Sequence, residues 1–446
     1  MKPAVALVGR TNVGKSTLFN RLTRSRAALV ADLPGLTRDR QYGDGFLGPV
    51  PYLAIDTGGF DPASAQVLQR SINEQTQTAI DECDVLLFVV DVRAGLTAQD
   101  QLIAQRLRTS GRRVVLAANK AEGLDVVAGA EFHELGLGQP FLVSATHGTG
   151  LADLMDAALE GFVEEPTAAD EPDPDRGTRV AIVGRPNVGK STLINTLLGE
   201  HRLVASEIPG TTRDAIEVDF ESNGRPFVLI DTAGIRRKGR VFEAVEKFSV
   251  IKTLQAVEQS NVAVLLLDAA AQIADQDAHI AGYILERGRA LVIAVNKWDS
   301  VPEGERERVK RDMQRKLHFL DWARLHFISA LRGSGLPGLM RSVEEAQRAA
   351  FARLPTPRLT RSLRAAVERQ GPPRAGNLRP KLRYAHQGGS NPPIIVVHGN
   401  ALHHVPDSYR RYLEGWFRSE FDLTGTPLRI EMRSGSNPFV RERAGK

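Results

Sequence analysis

The sequence predicts an α/β protein: two successive, mostly parallel sheets flanked by helices, then a smaller α+β domain at the C-terminus. Three observations point there. A glycine-rich G-x-x-x-x-G-K-S pattern occurs twice, from Gly9 to Ser16 and from Gly184 to Ser191, 175 residues apart. In each half, apolar strand-like runs alternate with helical patterns, as βα units require. From Pro355 onward that alternation stops and the charge balance turns basic, with 16 Lys/Arg against 7 Asp/Glu, compared with 42 against 46 before it.

Taken in order, residues 1–163 form the first unit. The runs AVALVG, PYLAIDTGG, VLLFVVD, VVLAANK and FLVSA are expected as strands with ligand loops at their C-terminal ends. Residues 164–178, EEPTAADEPDPDRGT, are acidic, proline-rich and without periodicity, so they read as a solvated linker. Residues 179–353 repeat the first pattern as RVAIVG, FVLIDTAG, VAVLLLDAA, LVIAVNKWD and LHFISA. The remaining residues, 354–446, form the third unit.

Each repeated glycine-rich turn sits between a strand and a helix, where it makes a phosphate cradle. The first is Gly9, Arg10, Thr11, Asn12, Val13, Gly14, Lys15 and Ser16; the second is Gly184, Arg185, Pro186, Asn187, Val188, Gly189, Lys190 and Ser191. The glycines let backbone N–H groups converge on phosphate oxygens, and the helix N-terminus adds positive potential. The lysine reaches the β/γ-phosphates and the serine hydroxyl can ligate Mg²⁺.

Four further stations repeat in the same order. Asp56-Thr57-Gly58-Gly59, followed by Phe60, answers Asp231-Thr232-Ala233-Gly234, followed by Ile235. The carboxylate there can hold Mg²⁺ through a water while the glycine N–H senses the γ-phosphate. Between cradle and aspartate lie PGLTRD and PGTTRD, whose Thr37 and Thr212 are candidates to close on Mg²⁺ with triphosphate bound. Asn119-Lys120-Ala121-Glu122 answers Asn296-Lys297-Trp298-Asp299, and Ser144-Ala145 answers Ser329-Ala330.

The order GxxxxGKS, Thr, DxxG, NKxD, SA resembles the GTP-binding domains of translation-factor-like GTPases. The tandem arrangement, together with DTAGIRRKGRV and VEKFSVIKTLQAVEQSNVAVLLLDA, is similar over essentially the whole chain to the bacterial Der (EngA) family. The resemblance implies two P-loop GTPase domains and a KH-like C-terminal domain. It also implies GTP/GDP and Mg²⁺ as cofactors, GTP hydrolysis, and a role in assembling the large ribosomal subunit, with its precursor and rRNA as partners. In that family the Asn and acidic residue of NKxD select guanine, because adenine cannot supply the donors the carboxylate needs.

The chain departs from the usual pattern in two places. Glu122 stands where Asp is expected, and its extra methylene leads us to expect weaker guanine selectivity in the first domain than in the second. At the position where Ras-like enzymes carry a water-orienting Gln stand Phe60 and Ile235, which cannot hydrogen-bond water. Asn12 and Asn187 resemble the Asn with which related potassium-activated GTPases ligate K⁺; the bland alternative is turn stabilisation. Lys15, Thr37, Lys190 and Thr212 complete the expected catalytic set. The basic RRKGR at residues 236–240 could meet rRNA phosphate or simply be solvated.

In the third unit, 359–370 reads as a helix, 378–384 and 394–397 as strands, 408–421 as a helix and 428–432 as a strand. Tyr409, Tyr412, Leu413, Trp416, Phe417 and Phe421 share one helix face and are expected in the core. Arg379, Lys381 and Arg383 alternate, so they are expected to project from one side of a strand toward RNA phosphates. No G-x-x-G, the nucleotide-clamping loop of typical KH modules, occurs there.

Composition closes off other classes. The single cysteine, Cys83, leaves no internal disulfide framework and fits a reducing cytosol, where no disulfide-linked partner is expected. No apolar run is long enough for a membrane helix, so a soluble, cytoplasmic protein is expected; the resemblance implies ribosome association, and a monomer is expected. A switch in which GTP occupancy matters and hydrolysis is incidental, or a GTPase of tRNA modification, are the alternatives.

Overall fold

The computed structural model describes residues 2–23, 41–57, 77, 79–80, 83–163, 177–200, 217–230, 250–271, 273–374 and 378–434. By backbone contacts the chain divides into two compact units, residues 1–166 with 249–255 and 274–279, and residues 167–248, 256–273 and 280–446.

The first sheet has six strands: β1 (Ala4–Val8), β2 (Gln41–Gly45), β3 (Tyr52–Asp56), β4 (Val85–Asp91), β5 (Arg113–Asn119) and β6 (Phe141–Leu142), in the order β2-β3-β1-β4-β5-β6. All pairings are parallel except β2 with β3. The central strands are buried on both faces, which is why they read as continuous apolar runs. One face carries Val5, Leu7, Leu87 and Val89, packed with Leu18 and Phe19 of helix α1 (Lys15–Thr23) and Leu154 and Met155 of α3 (Leu151–Leu159). Helix α2 (Ala98–Thr109) starts at Thr97, which closes a capping box with Asp100.

Strand β2, QYGDG, escaped the sequence reading because it has no apolar alternation. It is an edge strand held by backbone pairing, and at Gly45 a side chain would collide with the buried Tyr52 ring, 2.1 Å away.

The second sheet repeats the plan with β7 (Thr178–Val183), β8 (Val218–Ser222), β9 (Arg225–Ile230), β10 (Val262–Asp268), β11 (Ala290–Asn296) and β12 (Arg324–Phe327) in the order β12-β11-β10-β7-β9-β8. Only β8 is antiparallel, formed by a hairpin turning at Asn223-Gly224. The helices along this part of the chain are α4 (Lys190–Glu200), α5 (Val250–Gln259), α6 (Asp275–Glu286), α7 (Glu303–Lys316) and α8 (Leu336–Ala350).

The C-terminal segment has α9 (Thr356–Arg369), β13 (Lys381–Gly389), β14 (Ile394–Asn400), α10 (Asp407–Phe421) and β15 (Arg429–Ser434), with strand order β13-β14-β15. Tyr409, Leu413 and Phe417 of α10 are buried, with Tyr412, Trp416 and Phe421 packed beside them. Their polar ends reach α9 or its end: Tyr409 Oη donates to Gln370 O at 2.6 Å, Tyr412 Oη to Ala366 O at 2.9 Å and Trp416 Nε1 to Ser362 Oγ at 2.9 Å. This is core packing with satisfied polar tips.

The first strand of this segment corrects the sequence reading. It begins at Lys381, after Pro380, whose missing N–H cannot enter a ladder. Arg379 therefore precedes the strand, and its guanidinium lies against Gly371. A register shift between Leu382 and Tyr384 leaves Arg383 as the bulged residue. The three cations do not form one row on a strand.

Within the second unit this segment is docked on the second sheet's edge. Leu291 N–H donates to Gly425 O and Gly425 N–H to Trp322 O, both at 2.8 Å, and Asn391 N–H donates to Ala350 O at 2.9 Å. The Arg418 guanidinium lies 5.2 Å from the Trp322 ring centroid. Among the described residues no helix is long and apolar enough to cross a membrane.

Gly425 has φ 82°, and a Cβ there would stand 2.7 Å from Ala346 Cβ. We expect Gly425→Ala to destabilise the second unit by about 1–3 kcal/mol. The three tryptophans, Trp298, Trp322 and Trp416, all belong to that unit, so tryptophan fluorescence during denaturation reports it selectively. An unchanged transition would contradict the close docking.

Candidate nucleotide-binding sites

Both cradles lie at the C-terminal end of a central strand, β1 or β7, and lead into α1 or α4. Their backbones nearly coincide in dihedral space: Gly9, Asn12 and Gly14 have φ 156°, 63° and 94°, and Gly184, Asn187 and Gly189 have φ 154°, 63° and 100°. A Cβ on Gly9 would lie 2.3 Å from Val89 O, and one on Gly184 2.4 Å from Leu266 O. Only glycine lets the loop turn this close to the neighbouring strand.

The cradle lysines fold back over the loop. Lys15 Nζ donates to Gly9 O at 2.8 Å and Arg10 O at 2.7 Å; Lys190 Nζ donates to Gly184 O at 3.1 Å and Arg185 O at 2.9 Å. Lys15 is buried, and desolvation lowers its pKa to about 8, opposed by Asp56 and assisted by Arg10. Such a cation is destabilised until an anion comes close, which is what a phosphate supplies.

Asp56 ends β3 and is buried. The adjacent Thr57 hydroxyl donates to Leu7 O at 2.7 Å, tying the end of β3 to β1 beside the cradle. The Ser16 hydroxyl and Asp56 carboxylate are hard oxygen donors of the kind Mg²⁺ takes, so the residues present fit that ion. Thr37, Gly58, Gly59, Phe60, Thr212, Asp231, Thr232, Ala233, Gly234, Ile235 and the basic stretch 236–240 lie outside the described residues.

At the ends of β5 and β11 one asparagine joins three loops. Asn119 Nδ2 donates to Val13 O at 2.8 Å, and Ala145 N–H donates to Asn119 Oδ1 at 3.0 Å. Asn296 does the same with Val188 O and Ala330 N–H, both at 2.8 Å. The following lysines have φ 66° and 61°; Lys120 Nζ bonds Asn12 O at 2.9 Å and Asp91 Oδ2 at 2.6 Å, and Lys297 Nζ bonds Asn187 O at 2.8 Å and Asp268 Oδ2 at 2.6 Å. Desolvation opposes ionisation of Asp91, but the Lys120 ammonium and the Arg93 and Ala94 N–H groups outweigh it and hold the carboxyl below its usual range. Asp91 and Asp268, each ending its strand, were not singled out from sequence. Their fixed spacing ahead of the NKxD-type stations was the available signal.

Ala121 N–H donates to Val143 O and Trp298 N–H to Ile328 O, each at 3.1 Å, closing the expected base pocket alike in both copies. The acidic residues are held by different cations. The Ser329 hydroxyl, the residue's own N–H and Arg332 at 3.5 Å depress the Asp299 carboxyl. The Glu122 carboxyl is depressed by its own N–H, by the Ser144 hydroxyl, and then by Arg93 and His147. The longer Glu122 side chain thus bends back onto the serine that Asp299 uses in the other copy. Arg93 braces this segment, donating from Nε to Lys120 O and from Nη2 to Glu122 O, both at 3.1 Å, with Nη2 3.5 Å from Glu122 Oε1. In the second domain the residue two beyond the corresponding aspartate is Ala270.

Residues 4–120 and 179–297 match the family described as 50S ribosome-binding GTPase, and residues 353–433 match the KH-domain-like C-terminal domain of EngA bacterial GTPase enzymes. The chain is 63% identical over 442 residues to GTPase Der of Nitrosospira multiformis, covering 99% of this chain and 94% of that protein. It is 62% identical over 447 residues to GTPase Der of Bordetella pertussis, covering 99% of each, and 61% identical over 442 residues to that of Burkholderia cenocepacia, again covering 99% of each.

Two outcomes are expected at the first site, each read in the full chain carrying Lys190→Ala so that only that site binds. Phosphate favours charged Lys15, whose nucleotide-free pKa is about 8. GDP binding should therefore be nearly flat below that pH and weaken above it, by up to about tenfold per pH unit, because binding then takes up a proton. Fluorescent-GDP titrations across this range check it; a flat profile contradicts it. Arg93→Ala should weaken GDP about 5- to 10-fold, a charge-assisted contact's worth, and narrow the preference for GDP over IDP. IDP lacks the exocyclic amino group, so an unchanged GDP/IDP ratio would show that Arg93 does not align Glu122.

Two phosphate cradles with matching base pockets, each on its own mostly parallel sheet, and full-length identity above 60% leave one assignment: the chain belongs to the GTPase Der family, tandem-domain enzymes that bind and hydrolyse GTP.

Proposed function

We propose that this chain is a GTP-gated assembly factor for the large ribosomal subunit. The observation that carries this reading is the match of both G domains to a family described as 50S ribosome-binding GTPase, followed in the same chain by a KH-like segment with a strong excess of Lys and Arg. Thr37 and Thr212 are the residues that would close on Mg²⁺ with GTP bound, changing how the basic segment is presented to the pre-ribosomal particle, and hydrolysis ends the association. The chain acts in the cytoplasm as a monomer, and its contacts with rRNA are made mostly through phosphate and shape.

For hydrolysis, Asn12 and Asn187 are the residues that would hold K⁺, which when bound supplies positive charge beside the phosphates. Both side chains are exposed, and neither amide group makes a hydrogen bond among the described residues. That supports the cation reading over turn stabilisation by the side chain, although the left-handed backbone at both positions suits Asn on its own account.

Depleting the protein from its host should accumulate immature large subunits, read by profiling ribosomal particles; a normal profile would remove the assembly role. Turnover should be faster in K⁺ than in Na⁺, and Asn187→Ala should abolish much of that difference. An unchanged K⁺ dependence in Asn187→Ala would eliminate the cation role.

A further inference from the structure

The KH-like segment has no G-x-x-G loop, so a nucleic acid strand has to be met on some other part of its surface. Its three-stranded sheet uses one face for the core, through Ala385, Ile395, Val397 and Ile430. The other face carries Tyr384 and His386 from β13, His398 from β14 and Arg433 from β15. Tyr384 pairs directly with His398, and His398 with Arg433, across the ladders.

These rings are stacked on one another. Tyr384 and His398 have centroids 4.5 Å apart and planes 4° from parallel, and His386 and His398 have centroids 5.1 Å apart at 23°. Tyr384, whose ring centroid also lies 6.4 Å from that of His386, is 45% exposed. Burial, followed by His386 and Arg433, holds the His398 imidazole below its usual pKa. Lys381 is exposed at the same end of β13, and exposed Arg433 is shared with Glu431 at 2.8 Å. A cluster of stacked rings that includes an exposed aromatic and is edged by cations is complementary to a base and its flanking phosphates rather than to water alone.

We propose that this sheet face is a stacking platform for unpaired bases of single-stranded RNA, with Tyr384 receiving the base and Lys381 and Arg433 meeting the flanking phosphates. The assignment rests on the reading that this segment binds RNA, and the two can fail separately.

The test uses the full chain and fluorescence polarisation with three RNAs of roughly 10 nucleotides, within the usual span of such sites: a mixed-sequence single strand, an abasic strand of equal length, and the duplex of that sequence. The single strand should bind at least about 5-fold more tightly than the abasic strand. Tyr384→Ala should erase that difference while leaving abasic binding, its salt slope and GTP hydrolysis unchanged, and Tyr384→Phe should preserve it. Lys381→Ala should weaken both strands alike and reduce the salt slope by about one. Equal binding of the first two RNAs, tighter binding of the duplex, or a difference that survives Tyr384→Ala would overturn the platform while leaving RNA binding intact. Failure of all three to bind would overturn both.

Discussion

The interaction on which both sites depend is the double use of one buried asparagine amide. Asn119 and Asn296 each donate to the cradle and accept from the Ser-Ala loop, so phosphate end and base end are held by one planar group. No other small side chain offers a donor and an acceptor in this geometry. The amide nitrogen also stands 2.4 Å from where a Cβ on Gly14 would be, and 2.3 Å in the case of Gly189. The second glycine of each cradle is therefore required by the asparagine as much as by the nucleotide. Leaving either buried partner unsatisfied costs about 1–3 kcal/mol, enough to loosen a site that works by preorganisation.

Around that shared skeleton the two copies are finished differently. Both use a lysine paired to an aspartate at 2.6 Å to pin the cradle's asparagine carbonyl. The carboxylate expected to read guanine is braced by Arg93 from the loop after β4 in one domain, and by Arg332 from the loop after β12 in the other. Lys15 is buried, whereas Lys190 is half-buried. Sites with one geometry and unequal electrostatic surroundings can load and release the same nucleotide at different set points, a physical basis for keeping two in one chain.

The C-terminal segment is not a tethered appendage in the second unit. Its contact with β11 and α8 is made by backbone hydrogen bonds through Gly425 and Asn391, with the Arg418 guanidinium over Trp322. The aromatic face of α10 is spent on its own core, so the proposed RNA contact is placed on the sheet face away from the helices. There the bulge at Arg383 and the ladder register bring Tyr384, His386 and His398 together.

By itself the sequence determined the two sheets, the cradle positions and the pairing of stations, because buried parallel strands demand continuous apolar runs and a phosphate cradle demands particular glycines, a lysine and a serine at fixed spacing. It also determined the aromatic core of α10, through its helical periodicity. Tertiary structure decided what depends on partners distant in the chain. The edge strand β2 owes its existence to β3 rather than to its own residues. Arg93 acquires its place by meeting Glu122 across two loops. The proline and bulge that separate Arg379, Lys381 and Arg383 cancel a row that alternation alone implied, and the ring stack appears only when β13 and β14 are set in register. Local periodicity records which face a residue turns inward; it carries no record of which residue waits on the neighbouring strand.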